Sequence, residues 1–321
     1  ERAGHAGLKV CLFEKNNLGG VCLNEGCIPS KALLNSAKIY EHARDGAKYG
    51  VSAENVTLDQ KAVVARRGKV VRMLVSGVGA KMKGAGVTVV KEKAVIKGRV
   101  EGGFVVTAAG QDYEAAKLLI CAGSEAVVPP IPGVKENLGD FVLTNREVLE
   151  LPEVPKNFVI IGGGVIGLEM AAYYCVAGSH VTVVEMLDHI AGPTDREISK
   201  MLQKEYAKKG VDFKLSTKCL AVEKGKVVCE ADGKQFDVPA DKVLLSIGRR
   251  ASTKDMGLEN IGVEMNRGVI VVDEQGRTNV EGVFAAGDCI GKVMLAHTAY
   301  REAEVAINTI LGKKDFFFYY S

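Results

Sequence analysis

Three observations in the sequence predict an α/β fold. Residues 158–161 are an uninterrupted apolar run, followed by Gly162-Gly163-Gly164-Val165-Ile166-Gly167, a helical stretch through Ala177, and the run His180–Val184 that ends in Glu185. Continuous apolar runs of this kind suit strands buried on both faces of a parallel sheet. A second strand, 8–13, is closed by Glu14, and a third, within 278–288, runs to Gly287 and Asp288. Strands that alternate with helices and carry a glycine or a carboxylate at their carboxyl ends are the pattern of ligand-binding α/β domains.

At 321 residues the chain is long enough for about two domains. An apolar content of 47% and a charged content of 25% are those of an ordinary soluble globular protein. The net charge of +3 gives no argument for nucleic acid or for a membrane surface, and no apolar stretch is long enough to span a bilayer. Eight cysteines are too sparse for a secreted disulfide scaffold and are not clustered as metal ligands, so no metal is expected. A reducing compartment is expected: the cytoplasm or, in a eukaryote, the mitochondrial matrix.

The elements follow in order. Residues 1–7 read as the end of a helix and lead at once into strand 8–13. Its closing Glu14 stands where, in a dinucleotide-binding βαβ unit, an acidic side chain takes the adenosine ribose hydroxyls. The first strand of such a unit and its glycine-rich turn are not among residues 1–7, so the sequence is expected to begin inside the unit. Helices are predicted from 27 to about 48 and from about 58 to 83 by apolar residues at helical spacing. Short strands follow at 87–90, 94–96, 104–107 and 118–121, broken by Gly102-Gly103 and Gly110, and 129–133 is a connector. From 155 the strand, glycine turn, helix, strand and Glu185 together meet the context of a dinucleotide fingerprint. Gly162, Gly164 and Gly167 let the backbone approach a pyrophosphate at the helix N-terminus. Glu185 would accept from ribose hydroxyls and repel a 2′-phosphate, which favours NAD over NADP. A helix at 197–208, a strand at 211–214, a small sheet turning at Gly225 and Gly233, and strand 242–247 complete this region. Strand 269–272, strand 278–288 and a helix at 295–311 close the fold. For the aromatic tail 316–320 no helical or strand logic is found.

The densest chemistry lies in Gly19-Gly20-Val21-Cys22-Leu23-Asn24-Glu25-Gly26-Cys27-Ile28-Pro29-Ser30-Lys31. Pro29 opens an apolar helical run, which places Cys27 at the positive end of a helix, where a thiolate is favoured. Cys22 and Cys27 therefore read as a redox-active disulfide, against the plainer reading of two core cysteines.

This stretch resembles the redox motif of the pyridine nucleotide-disulfide flavoprotein oxidoreductases, most of all their dihydrolipoamide dehydrogenase branch, and the likeness runs along nearly the whole chain. The resemblance implies two Rossmann-like dinucleotide-binding domains, the second inserted into the first. Residues 1–147 and 278–321 would form the FAD part, with the redox disulfide, and 148–277 the NAD part. It implies oxidation of protein-bound dihydrolipoamide through the disulfide and FAD, with reduction of NAD+. Cys22 would exchange with the substrate sulfur, Cys27 would lie nearer the flavin, and Glu169 would pair with Lys31 beside it. Gly123 would mark the chain's return to the FAD domain, with Ala122 where relatives have threonine. Asp288 would bond the ribityl chain, and the segment through Ala296 would pass along the flavin. Gly248-Arg249-Arg250 resembles a family element in which Arg249 touches cofactor phosphate or is simply solvated. The implied partner is the lipoyl domain of a 2-oxoacid dehydrogenase or glycine cleavage complex. In the family a further domain supplies the dimer interface and a His-Pro motif with the catalytic base. No His-Pro occurs in these 321 residues, so no base is assigned. Two alternatives are another NAD(P)H-linked disulfide reductase and a catalytically incomplete cofactor-binding fragment.

Overall fold

Strand Asn157–Ile161 is the centre of a five-stranded parallel sheet. Asp212–Lys214 and His180–Val184 lie on one side of it, Lys242–Leu245 and Val142–Leu143 on the other. A computed structural model describes residues 1–319. The chain folds into two units, and this sheet belongs to the one made of Glu25–Arg72 and Ala126–Gly248.

Alternation along each strand splits the side chains between two faces. Phe158, Ile160, Val181, Val183 and Leu244 face the helices Cys27–Arg44 and Val165–Ala177, meeting Leu33, Ala37, Met170, Ala171, Tyr173 and Tyr174. Val159, Ile161, Val184, Val243 and Leu245 face a three-stranded antiparallel sheet, Lys218–Glu223, Lys226–Ala231 and Lys234–Pro239, through Val222, Val227, Cys229 and Val238. Both faces being covered explains why the strands read as unbroken apolar runs. Helix Val165–Ala177 is apolar nearly all round and ends on Gly178 in the left-handed region, at φ +112°. Its two buried tyrosines keep their hydroxyls satisfied: Tyr173 donates to Gln60 Oε1 and Tyr174 to the Val148 carbonyl, each at 2.6 Å.

The other unit comprises Glu1–Asn24, Met73–Glu125 and the chain from Arg249. Strand Cys11–Phe13 pairs in parallel with Thr88–Val90, and Leu118–Ile120 with Val283–Ala285. Val95–Val100, Gly103–Ala108 and Gln111–Ala115 form an antiparallel meander. The third of these strands was not predicted: Gln111-Asp112-Tyr113-Glu114 carries too little apolar alternation, and the Ala109-Gly110 turn, with φ +51° and +74°, is what returns it to pair. Helix Ala296–Ile310 covers a core that holds Ile96, Phe104, Val283, Val305 and Phe317. The aromatic tail has a packing logic after all. Phe317 is buried in that core, its amide bonds the Glu274 carbonyl at 3.0 Å, and Tyr319 donates to the buried Glu302; Tyr320 lies outside the described residues. The first strand is shorter than predicted, Cys11–Phe13 rather than 8–13.

Candidate active site

Gly20–Glu25 is a six-residue helix for which the sequence carries no periodic signal. Gly19 and Gly20 turn the chain into it with φ of +104° and +67°, values open to glycine, and Asn24 Nδ2 donates to the carbonyls of Leu18 and Gly20 at 3.0 and 2.9 Å. Gly26, at φ −140° and ψ −117°, breaks this helix from the next, Cys27–Arg44, which starts on its predicted residue. Pro29 occupies the first turn, where an amide has no intrahelical partner to lose. Cys22 and Cys27 are joined in a disulfide, with Cys27 as the first residue of the long helix. Two residues that the sequence did not single out hold the chain between the two cysteines. Asn145 Nδ2 donates to the Glu25 carbonyl at 2.8 Å, and the Arg146 guanidinium donates to the Glu25 carboxylate. They lie some 120 residues away, so nothing local could have signalled them.

One turn into the redox helix, Lys31 Nζ donates to Glu169 Oε1 at 2.5 Å. The lysine side chain keeps 61% of its surface exposed and the glutamate 23%. The pair exists because Leu33 and Ala37 pack the redox helix on Met170 and Ala171 of helix Val165–Ala177, which sets Lys31 over Glu169.

Directly before that second helix lies the glycine turn. Gly162 has φ +103°, and a Cβ there would meet the Ser246 carbonyl oxygen at 2.3 Å. A Cβ on Gly167 would meet the Gly162 carbonyl oxygen at 2.5 Å, so this glycine lets helix and strand approach. Gly164 differs: the nearest atom to its Cβ position is 3.8 Å away, and its small size keeps room beside the bare helix N-terminus, which carries no side-chain cap. Glu185, at the end of the neighbouring strand, accepts the Gly163 amide at 2.6 Å with one oxygen and the Leu187 amide at 2.8 Å with the other. Gly248, at φ +120°, follows strand Lys242–Leu245 and accepts the Val127 amide through its carbonyl at 3.0 Å. A tight turn, an open glycine, a bare helix N-terminus and a carboxylate across the turn suit the pyrophosphate and ribose of a dinucleotide.

In the other unit, Glu14 continues past Cys11–Phe13, its amide bonding the Val90 carbonyl at 3.0 Å and Oε1 accepting the Asn16 amide at 2.8 Å. Asp288 stands just beyond Val283–Ala285, after Gly287 at φ +81°. Gly123 turns the chain at φ +70°, and its carbonyl accepts the Ser252 amide at 3.0 Å. The sequence missed Ser124, which joins these parts. Its hydroxyl donates to Asp288, and Arg249 donates to Ser124 through Nε at 2.8 Å and Nη2 at 2.7 Å. Arg249 is thus bonded within the protein rather than simply solvated. Ala296 opens helix Ala296–Ile310, and the buried Glu302 on that helix accepts the Gly287 amide at 2.6 Å. The carboxylates Glu14 and Asp288 at strand ends suit hydroxyl groups of a second dinucleotide. Among the described residues no helix is long and apolar enough to cross a membrane, and no cluster of His, Cys, Asp or Glu is placed to hold a metal.

Rossmann-like α/β architecture, a glycine turn facing a carboxylate, and a disulfide at a helix head define a nucleotide-linked disulfide oxidoreductase. Residues 1–303 match the family model of pyridine nucleotide-disulphide oxidoreductases, and the chain belongs to that family, whose members use FAD and NAD(H). It is 40% identical over 312 residues to a dihydrolipoyl dehydrogenase of Acholeplasma laidlawii, covering 97% of this chain and 91% of that one. To the dihydrolipoyl dehydrogenase of Geobacillus stearothermophilus it is 38% identical, covering 97% of this chain and 66% of that one. Among solved structures it resembles the HOCl-induced flavoprotein disulfide reductase RclA of Escherichia coli, with TM-score 0.84 and 26% identity over 98% of this chain and 68% of that one.

Proposed function

We propose that the chain carries the disulfide and nucleotide sites of a dihydrolipoyl dehydrogenase, oxidising protein-bound dihydrolipoamide to lipoamide with NAD+ as final acceptor. The observation that carries this reading is the Cys22–Cys27 disulfide at the head of a helix whose Lys31 is paired with Glu169. A substrate thiolate attacks Cys22 Sγ, the disulfide opens, and Cys27 leaves as a thiolate stabilised by the helix N-terminus. The second substrate thiolate then attacks the first substrate sulfur, closing the lipoamide ring and releasing Cys22 as a thiolate. Bound FAD would supply the two-electron relay between the cysteine pair and NAD+. Lys31, held by Glu169, keeps a positive charge one helical turn from Cys27. Glu14, Gly123, Asp288 and Ala296 would border the FAD, and Gly162, Gly164, Gly167, Glu185 and Gly248 the NAD. On this reading 1–147 with 278–321 is the FAD domain and 148–277 the NAD domain. The redox helix nevertheless packs with the NAD-side sheet. The partner is a lipoyl domain of a 2-oxoacid dehydrogenase or glycine cleavage complex, in a cytoplasmic or matrix setting, and the working protein is a homodimer.

A second reading, a reductase of another disulfide, has in its favour the likeness to the E. coli reductase. The discriminating measurement is the visible spectrum of the FAD-loaded protein under nitrogen. Dihydrolipoamide is expected to bleach the yellow colour and raise a long-wavelength band within one turnover. A protein that NADH reduces and dihydrolipoamide leaves unchanged is the other reductase.

A further inference from the structure

Besides the redox disulfide, a pair of cysteines faces each other across the antiparallel sheet. Strands Lys218–Glu223 and Lys226–Ala231 are antiparallel, and their register sets Cys219 directly opposite Cys229. Residues directly opposite in an antiparallel pair project to the same face, with Cα atoms about 4.5–5.5 Å apart. Backbones at that spacing fall within the range a disulfide bridges, with Cα atoms about 4.4–6.8 Å apart. Both side chains belong to one apolar cluster, Cys229 fully buried and Cys219 partly exposed at its edge. The register shifts between Cys219 and Ala221, and such a bulge gives one strand room to adjust. Both thiols are reduced.

We propose that Cys219 and Cys229 are a second oxidisable dithiol, which a peroxide closes into a cross-strand disulfide that staples the antiparallel sheet. Cys219, the accessible thiol, attacks hydrogen peroxide as its thiolate. The O–O bond breaks, water leaves after taking up a proton, and Cys219 becomes a sulfenic acid. Cys229 sulfur then attacks the Cys219 sulfur, the S–O bond breaks, and a second water carries off the hydroxyl and the Cys229 proton. Two thiols lose two electrons and one peroxide becomes two waters. Burial keeps both groups as thiols at neutral pH, pushing Cys219 up to about 12 and Cys229 up to about 11, so closure is slow and follows sustained exposure.

Tryptic mapping of the whole protein tests this. Lys218, Lys224, Lys226 and Lys234 place the two cysteines in separate peptides, 219–224 and 227–234, whereas Cys22 and Cys27 share peptide 16–31. After incubation with hydrogen peroxide, denaturation and alkylation, the expected product is 219–224 joined to 227–234, at their summed mass less two hydrogens. It should vanish on treatment with a reductant and be absent from Cys219→Ser, in which Cys229 should be recovered alkylated. Recovery of both wild-type peptides separately, alkylated or as Cys219 sulfinic acid, while peptide 16–31 carries its own disulfide, would overturn the proposal. So would a link from either cysteine to any other thiol as the main product.

Discussion

Lys31 and Glu169 are 138 residues apart in sequence and 2.5 Å apart in space, and they join the helix that starts at Cys27 to the helix that starts after the glycine turn. The pair is too exposed to hold the fold, since ion pairs of this kind contribute about 0–1 kcal/mol. Glu169→Gln should therefore shift the urea unfolding free energy by less than about 1 kcal/mol, while turnover with dihydrolipoamide falls at least tenfold, about 1.4 kcal/mol of barrier. Equal activity in the variant would reduce the pair to a surface contact.

The glycine turn separates folding from binding. Gly167→Ala sets a methyl 2.5 Å from the Gly162 carbonyl oxygen and 3.0 Å from Ile160 Cγ2. Overpacking of this kind costs about 1–3 kcal/mol, visible as a lower urea midpoint. Gly164→Ala has no such neighbour and should leave stability within about 0.5 kcal/mol. It should nonetheless weaken NADH binding, followed by fluorescence titration, because the methyl occupies the space a pyrophosphate would take.

Glu185 bonds the backbone of the turn through both carboxylate oxygens, and on the proposed reading it would face a ribose. Glu185→Ala should weaken NADH binding about tenfold, or 1.4 kcal/mol, and leave NADPH binding unchanged or tighter because a repelling charge is gone. A loss of affinity that is the same for both nucleotides would show that Glu185 only supports the turn.

Alkaline pH should loosen the unit built on the five-stranded parallel sheet through Tyr173. Burial pushes its hydroxyl up to about 12 from the ordinary 10. In the unfolded chain the group loses its proton near pH 10, whereas the folded chain retains it. Its contribution is complete below pH 10 and is lost as pH rises through 12. Urea midpoints measured from pH 9 to 12 should fall, and fall less steeply in Tyr173→Phe. A slope that the variant leaves unchanged would assign the effect to other groups.

Much of the fold was legible because its signals are local. Unbroken apolar runs, the spacing of Gly162, Gly164 and Gly167, and the length to Glu185 follow from strand, turn and helix geometry alone, and strand His180–Val184 falls on its predicted residues. The short helix Gly20–Glu25 was not legible, since two glycines in left-handed turns and one six-residue segment carry no periodicity.

By itself the sequence determined the family, the α/β class, and the chemistry of a dithiol at a helix head, because these depend on residue types at short spacing. Tertiary structure alone decided which distant groups meet: Asn145 and Arg146 on Glu25, Ser124 between Asp288 and Arg249, Glu302 under Gly287, and Cys219 across from Cys229. It also turned the aromatic tail into a core contact through Phe317. The reason is physical. Burial and strand register bring together groups with no spacing in the chain, and a buried polar group acquires its partner only when the backbone around it has closed.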